Sequence, residues 1–263
     1  MPEIVYPPVI AAAKTMFRVL DLRLKVVGGE HVPTSGGAVL ASNHISYLDF
    51  IFAGLGAHES RRLVRFMAKK EVFTHRISGP LMRGMRHIPV DRQDGAKAFV
   101  TAVDALRRGE VVGIFPEATI SRSFTVKELK LGAARMAREA SLPIIPVALW
   151  GTQRLWTKGR PRTLTRRHTP ITILVGEPLE ATDKAGRTTI ELRRRLSALV
   201  DQAQQEYPDQ PAGPDDDWWQ PAHLGGSAPT PEEAAILDGR GRRTPATSER
   251  TETNSEAHPE ANP

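Results

Sequence analysis

The chain has 263 residues, of which 40% are hydrophobic and none is cysteine. This length and apolar content suffice for one large domain or two small ones with a buried core. Without cysteine the chain has no disulfide, thiolate metal ligand or cysteine nucleophile, a composition that fits a reducing compartment. The sequence also predicts no signal peptide and no membrane span, because it has no secretory signal pattern and no uncharged apolar run of ~18 residues.

Charge is unevenly distributed along the chain. From Pro208 onward there are 4 basic and 11 acidic residues, which leaves 32 basic and 19 acidic residues before it and a net charge of +13. Such a body attracts nucleic acid, an anionic membrane or a phosphorylated substrate. The basic residues are dispersed without an RNA-binding signature or interleaved aromatic residues, so we expect no nucleic-acid partner.

The first twenty residues predict an amphipathic helix within 1–21. Ile10, Ala13, Phe17 and Leu20 recur at helical spacing. The apolar face of this helix could lie at a lipid interface or pack on the core of the domain, and the pattern favours neither.

Strands and helices alternate through residues 22–207, which we interpret as one domain. This alternation predicts an α/β fold with a mixed central sheet flanked by helices. Pro143 and Pro146 indicate that the last predicted strand lies at an edge of the sheet or is irregular. The predicted strands are 22–27, 38–41, 63–68, 111–115 and 142–150, and the predicted helices begin at Ser46 and Asp94.

Residues 208–263 form an acidic, proline-rich segment with few large apolar groups. Such a composition buries too little surface to offset the entropy of ordering, so we predict a disordered tail. The pair Trp218 and Trp219 could dock on the body or on a membrane. Four basic residues that follow position 123 are predicted to form a solvated helix face, or else to meet an anionic lipid surface: Lys127, Lys130, Arg135 and Arg138.

The stretch NHISYLDF, residues 43–50, contains a histidine and an aspartate five positions apart. Two residues at this spacing point ~140° apart on a regular helix and cannot touch there. Ser46-x-x-Asp49 resembles a capping box, which would place His44 in the turn before a helix and Asp49 in its first turn. His44 could then act as a general base oriented by Asp49, two parts of a triad that lacks a nucleophile. For this pattern in isolation, helix capping by Asp49 and simple packing of His44 are the favoured interpretation.

Four sequence blocks in this order resemble those of the lysophospholipid acyltransferase family, and within it the bacterial 1-acylglycerol-3-phosphate acyltransferases. The blocks are NHISYLD at 43–49, GMRHIPVDR at 84–92, FPEATISRS at 115–123 and LPIIPVAL at 142–149. The resemblance implies a glycerol-3-phosphate acyltransferase-like fold and a catalytic dyad of His44 and Asp49. The missing nucleophile would be the hydroxyl of a lysophospholipid, which is esterified by acyl-CoA or acyl carrier protein as co-substrate, with no cofactor and no metal.

The resemblance also suggests residues that bind the substrate. A phosphate monoester needs fixed cations, for which we choose Arg92 first and Lys69 second. Glu117, Thr119 and Arg122 of the third block complete the set, and Glu117 is expected to hold the block together through hydrogen bonds. The family usually has Phe-Pro-Glu-Gly-Thr-Arg-Ser there, so Ala118 replaces a glycine and Ile120 replaces the arginine. Alanine at 118 suggests that no positive φ is needed.

The expected function is acylation of the sn-2 hydroxyl of lysophosphatidate to phosphatidate, at the cytoplasmic face of the plasma membrane by a peripheral protein on an anionic surface. Alternatively, the acyl acceptor is another lysophospholipid or a glycolipid. A non-catalytic lipid-binding protein of the same fold, and a lipid ester hydrolase that uses Ser46, stay open as well. The oxyanion stabiliser is expected among backbone N–H groups of 43–46 or at 118–119.

Overall fold

The computed structural model describes residues 3–91, 93–213 and 215–239. In this part of the chain seven strands form one sheet. They are β1 (Arg23–Val27), β2 (Ala38–Ser42), β3 (Val64–Lys69), β4 (Ile88–Val90), β5 (Val111–Ile114), β6 (Ile144–Trp150) and β7 (Pro170–Val175).

Helices occupy most of the connections between these strands. They are α1 (Tyr6–Val19), α2 (Asp49–Gly56), α3 (Lys70–Thr74), α4 (Ser78–Gly84), α5 (Gly95–Arg107), α6 (Gly132–Ala140), α7 (Ala185–Gln205) and α8 (Pro231–Leu237). No helix in the described ranges combines the length and the apolar character needed to cross a bilayer.

The strand order across the sheet is β1-β7-β6-β2-β5-β3-β4. Neighbouring strands are parallel except β6 and β7, which are antiparallel. The predicted α/β fold with a mixed central sheet is therefore confirmed. Four parallel strands, β6, β2, β5 and β3, end at the same edge of the sheet, and that edge is where such folds place their sites.

Helices cover both faces of the sheet. Because side chains alternate along a strand, Leu40 of β2 packs with Phe52 of α2 on one face, while its neighbour Val39 packs with Leu106 of α5 and Met136 of α6 on the other. All five side chains are at most 1% exposed. Burial of each large apolar side chain contributes about 1.5–3 kcal/mol, so the central strands are held firmly from both sides.

The N-terminal helix α1 packs on the core of the domain. Phe17 is buried and stacks on Phe52, with 5.0 Å between the ring centroids. The hydroxyl of Tyr6 donates a 2.5 Å hydrogen bond to the carbonyl oxygen of Val64 in β3. Of the two interpretations that the helical pattern left open, the structure shows packing on the domain itself.

The prediction of an edge strand from Pro143 and Pro146 is wrong. Strand β6 lies between β7 and β2 and is buried along its whole length. Pro146 lies opposite Gly176, one residue beyond the end of β7, and its carbonyl oxygen accepts a 2.8 Å hydrogen bond from the Gly176 N–H. An interior strand tolerates this proline because its missing N–H falls one residue past the end of β7, where the regular ladder has ended.

The prediction of a disordered tail is wrong for the described part of residues 208–239. Trp219 is 2% exposed and packs edge-on against Tyr207, with Arg154 over its ring at 4.4 Å. Helix α8 begins with a complete capping box between Thr230 and Glu233. Composition underestimated this segment because three of its apolar groups, Trp219, Ala228 and Ala234, are buried. Residues 240–263 lie outside the described residues.

The basic residues after position 123 are not all helical. Helix α6 starts at Gly132, so it contains Arg135 and Arg138, whereas Lys127 and Lys130 lie in the irregular segment before it. Lys130 donates its N–H to the carbonyl oxygen of Pro116. The segment therefore runs alongside the third block instead of forming a separate basic helix face.

Candidate active site

Three strands deliver the residues of the site to one edge of the sheet. His44 follows β2 by two residues, Glu117 follows β5 by three, and Thr152 follows β6 by two. Strands β6, β2 and β5 are adjacent and parallel, so the three side chains converge beyond their carboxyl ends. This convergence joins parts of the sequence more than one hundred residues apart.

His44 and Asp49 are in direct contact. The Nδ1 atom of His44 lies 2.9 Å from Oδ2 of Asp49. Asp49 is the first residue of α2 and His44 precedes that helix, in the arrangement that their five-residue spacing predicts. Asp49 is fully buried, whereas the side chain of His44 is 21% exposed. The pair thus has a shielded carboxylate and an imidazole that a substrate can reach.

The surroundings fix the tautomer and the ring orientation of His44. Oδ2 of Asp49 also accepts hydrogen bonds from the N–H groups of Ile45 and Ser46, both at 2.7 Å. Because an ionised carboxylate only accepts hydrogen bonds, Nδ1 of His44 is the donor and Nε2 keeps a lone pair. The imidazole stacks on Phe115, with 4.2 Å between ring centroids and 21° between planes. Nε2 is therefore a fixed base on the open side of the pair.

Two residues that hold the pair escaped the sequence interpretation. The hydroxyl of Thr152, which is fully buried, donates a 2.6 Å hydrogen bond to Oδ1 of Asp49. The amide side chain of Asn43 donates to the carbonyl oxygen of Leu149 at 3.0 Å and accepts from the Leu149 N–H at 2.7 Å. Asn43 thereby extends the pairing of β2 with β6 by one residue while its backbone turns out of the sheet.

Ser46 has a structural role in this geometry. Its hydroxyl donates to the carbonyl oxygen of Trp156 at 2.7 Å and accepts from the Leu48 N–H at 3.1 Å. The residue is fully buried. A nucleophilic serine needs an exposed oxygen beside its base, so this arrangement disfavours a hydrolase that depends on Ser46.

Glu117 connects the third block to the backbone of the first. Its Oε1 accepts the His44 N–H at 2.8 Å, and its Oε2 accepts the Lys127 N–H at 3.1 Å. Burial raises the pKa of Glu117 to about 7, and these two N–H donors oppose that rise. Both oxygens are engaged with backbone groups, as the sequence led us to expect.

Ala118 has a positive φ, and the prediction that it would not need one is wrong. Its φ is +61°, in the left-handed region. The turn is closed by the Ala118 N–H, which donates to the carbonyl oxygen of Phe115 at 3.0 Å. A left-handed conformation costs a residue with a Cβ atom about 1–2 kcal/mol, so alanine stores strain of this size where the family usually has glycine.

The predicted substrate-binding cations are found in different places. Lys69 ends β3 at the same edge of the sheet and is exposed. Arg122 turns toward Asp238, to which its Nε donates at 3.2 Å. The hydroxyl of Thr119 accepts a 2.6 Å hydrogen bond from Nζ of Lys127. Arg92 lies outside the described residues.

The expected oxyanion donors of the 43–46 turn are already used. The N–H of His44 bonds to Glu117, and those of Ile45 and Ser46 bond to Asp49. The N–H of Ala118 closes its own turn. These four groups hold the protein together and do not point at a substrate. Ile120, in place of the family arginine, is buried.

Comparison with known proteins relates this geometry to a family. The model of a family described as Acyltransferase matches residues 23–150. A 1-acyl-sn-glycerol-3-phosphate acyltransferase of Bacillus subtilis is 31% identical over 189 residues, which are 70% of this chain and 86% of that protein. The enzyme of the same name from Limnanthes douglasii is 32% identical over 173 residues, 63% of this chain and 57% of that protein.

A solved structure shares the fold. The 1-acyl-sn-glycerophosphate acyltransferase PlsC from Thermotoga maritima superposes with a TM-score of 0.64 over 77% of this chain and 81% of that chain, at 20% sequence identity. Residues 23–150, which the family model matches, include His44, Asp49 and Glu117. The chain belongs to the acyltransferase family.

Proposed function

We propose that the protein transfers a fatty acyl group from acyl-CoA or acyl carrier protein to the sn-2 hydroxyl of lysophosphatidate, giving phosphatidate. The observation that carries this proposal is the hydrogen bond between Nδ1 of His44 and the buried carboxylate of Asp49. Relatives named 1-acyl-sn-glycerol-3-phosphate acyltransferases support the choice of acceptor.

The reaction needs a base but no nucleophile from the protein. Nε2 of His44 removes the proton of the acceptor hydroxyl as its oxygen attacks the thioester carbonyl carbon. The tetrahedral intermediate then collapses, the carbon–sulfur bond breaks, and the imidazolium returns its proton to the departing thiolate. Asp49 stabilises the imidazolium and keeps the ring oriented, as the aspartate does in a catalytic triad.

The phosphate group of the acceptor requires cations at the same edge of the sheet. Arg92 and Lys69 stay our candidates from the sequence, and Lys69 is exposed at the end of β3. Arg122 is the third candidate, and Thr119 of the same block stays a candidate for contact with the substrate. We expect Arg92→Ala to raise the apparent KM for lysophosphatidate more than it lowers kcat.

Acyl transfer from radiolabelled oleoyl-CoA to lysophosphatidate tests the dyad. We expect His44→Ala and Asp49→Asn to lose at least about 10²–10⁴ of the rate, the usual contribution of a positioned general base. His58→Ala is a matched control, because His58 is an exposed histidine two residues beyond the C-terminal end of α2 and contacts Lys14. Full activity in the His44 variant would contradict this mechanism.

The acceptor is tested by a screen of purified protein with several lysophospholipids and glycolipids, read by lipid mass spectrometry. Phosphatidate as the main product supports the proposal, and a preference for another acceptor would replace lysophosphatidate with that lipid. Vesicle binding without turnover on any acceptor would favour the non-catalytic lipid-binding alternative.

We further propose that the protein works as a peripheral protein on an anionic membrane, at the cytoplasmic face of the plasma membrane. Helices α3 and α4 and their connection expose three apolar side chains, Val72, Ile77 and Leu81, with exposures of 39%, 73% and 40%. The same stretch of chain, residues 69–83, contains the exposed acidic Glu71 and four exposed basic residues: Lys69, Lys70, Arg76 and Arg83. Exposed apolar and basic groups in one stretch fit a surface of anionic lipid, and α3 starts at the edge of the sheet that carries His44.

Sedimentation with vesicles tests this surface. Vesicles with phosphatidylglycerol should retain the protein, vesicles of phosphatidylcholine alone should retain less, and Ile77→Glu should weaken retention. Ile190→Glu is the control, because Ile190 on α7 is 72% exposed and thus almost as accessible as Ile77. Equal retention of wild type and Ile77→Glu would remove α3 and α4 from the membrane contact.

A further inference from the structure

Three cationic side chains converge on one carboxylate near the site. Nζ of Lys158 and Nε of Arg122 donate to Oδ1 of Asp238, at 2.5 and 3.2 Å. Nζ of Lys127 lies 3.4 Å from Oδ2 of the same residue. The side chain of Asp238 is only 6% exposed. Burial by itself would raise the pKa of Asp238, yet the hydrogen bonds from Lys158 and Arg122 hold that pKa below its ordinary value.

This group of cations, Arg122, Lys127 and Lys158, is built into the fold. Arg122 lies against the backbone of Gly159, where an added Cβ would lie 2.3 Å from its Nη1 atom. Lys127 is also held by Thr119, and its backbone N–H donates to Glu117. A cluster that is fixed by neighbouring groups in this way is pre-organised to bind an anion.

One residue, Glu117, links the segment of Lys127 to that of the catalytic pair. The carboxylate of Glu117 bonds the Lys127 N–H through one oxygen and the His44 N–H through the other. Glu117 therefore ties the segment that carries Lys127 to the turn that carries His44. Three positive charges at this spacing repel one another unless an anion lies between them.

The helix that brings Asp238 to the cluster is held mainly by charge. Ala234 is the buried residue of α8, while Ile236 and Leu237 are 68% and 57% exposed. Asp238 follows the helix directly and makes the three cation contacts. An electrostatic latch of this kind weakens with salt and yields to an anion of higher charge.

We propose that Arg122, Lys127 and Lys158 form a site for the phosphate group of a substrate, and that Asp238 is an intramolecular occupant that this phosphate displaces. A phosphate monoester carries up to two negative charges and three free oxygens, so it matches three cations better than a carboxylate does. Only the identity of the molecule that carries the phosphate rests on the proposed function. It is either the lysophosphatidate headgroup or the coenzyme A part of the donor.

Titration calorimetry with glycerol 3-phosphate and, separately, with coenzyme A tests the site without acyl transfer. Asp238→Ala should tighten the binding of one of them about tenfold or more. While Asp238 occupies the site, the apparent affinity is the intrinsic affinity multiplied by the fraction of molecules in which Asp238 has left the site. Asp238→Ala combined with Lys158→Gln should lose that gain. Glu232→Ala, which removes the same charge from the exposed first turn of α8, is the control and should bind like wild type.

The ligand that gains affinity identifies the source of the phosphate. A gain for glycerol 3-phosphate assigns the cluster to the acceptor, and a gain for coenzyme A assigns it to the donor. Unchanged binding of both in the Asp238 variant would overturn the proposal. Tighter binding without acyl transfer would support this site while contradicting the proposed function.

A second measurement keeps the Asp238 contact intact. Because the chain has no cysteine, Leu237→Cys carries a spin label at one defined position on α8. Adding the phosphate ligand should increase the mobility of the label, and glycerol at the same concentration should not. A label whose mobility ignores both ligand and salt would show that Asp238 does not leave the cluster.

Discussion

Replacing Thr152 with valine tests how much the buried support of Asp49 matters. Valine has nearly the shape of threonine but lacks the hydroxyl that donates a 2.6 Å hydrogen bond to Oδ1 of Asp49. A hydrogen bond to a charged group contributes about 1.5–3 kcal/mol, and here both partners are fully buried. If all of it were lost from the transition state, kcat would fall about 10- to 100-fold, since 1.4 kcal/mol corresponds to a factor of ten.

The assay is acyl transfer over a range of acceptor concentrations, combined with urea unfolding. We expect kcat to fall and the KM for the acceptor to stay near its wild-type value, because Thr152 contacts Asp49 and not the substrate. Thr152→Ser keeps the hydroxyl and should retain most of the activity. Wild-type kcat together with wild-type stability in Thr152→Val would refute the reasoning that Asp49 needs this donor.

Three further predictions concern stability and use urea unfolding. Ala118→Gly should raise the free energy of unfolding by up to about 1 kcal/mol, because glycine relieves the positive φ, and a loss would show that the turn is unstrained. Asn43→Ala should lower it by about 2 kcal/mol or more, since the N–H and carbonyl of buried Leu149 lose their partners; Asn43→Ala as stable as wild type would contradict this. Burial lowers the pKa of His87 to about 4, so between pH 6.5 and 4 the unfolded chain binds a proton that the folded chain excludes. Stability should therefore fall toward pH 4, and His87→Asn should remove up to ~3 kcal/mol of that fall; the same pH dependence in both would refute it.

The sequence predicts the contact between His44 and Asp49 because its determinants are local. The five-residue spacing allows the contact when His44 precedes a helix that begins near Asp49, and the resemblance to the family made the pair the expectation; in the structure the Ser46 N–H donates to Asp49 at the start of α2. The central strands could also be predicted from the sequence, because glycines bound their apolar runs. Features that depend on residues close together in the sequence were therefore predicted.

Contacts across the sheet could not be predicted in the same way. Thr152 meets Asp49 across 103 positions, and Asn43 meets Leu149 across 106. Threonine and asparagine are common in loops, so nothing in their immediate sequence distinguishes these two from others. Their role depends on which strands become neighbours.

Two wrong predictions have a common physical origin. Ala118 was judged by the preference of its residue type, and Pro146 by the rule for prolines in strands. In both cases the surrounding chain decides the outcome: a closed turn forces Ala118 into a positive φ, and the end of β7 removes the need for a proline N–H. Local preference is a weak prior when the tertiary structure imposes the conformation.

The hydrogen bonds between the first block and residues 152–157 have a consequence for the dynamics of the site. Tyr47 and Ser46 both donate to the carbonyl oxygen of Trp156, and the hydroxyl of Thr157 donates to that of Ile45. The two segments should therefore open together or not at all. Native-state hydrogen exchange should show their amides exchanging with one common free energy, close to that of the central strands, so that a substrate meets a base whose position survives local fluctuations.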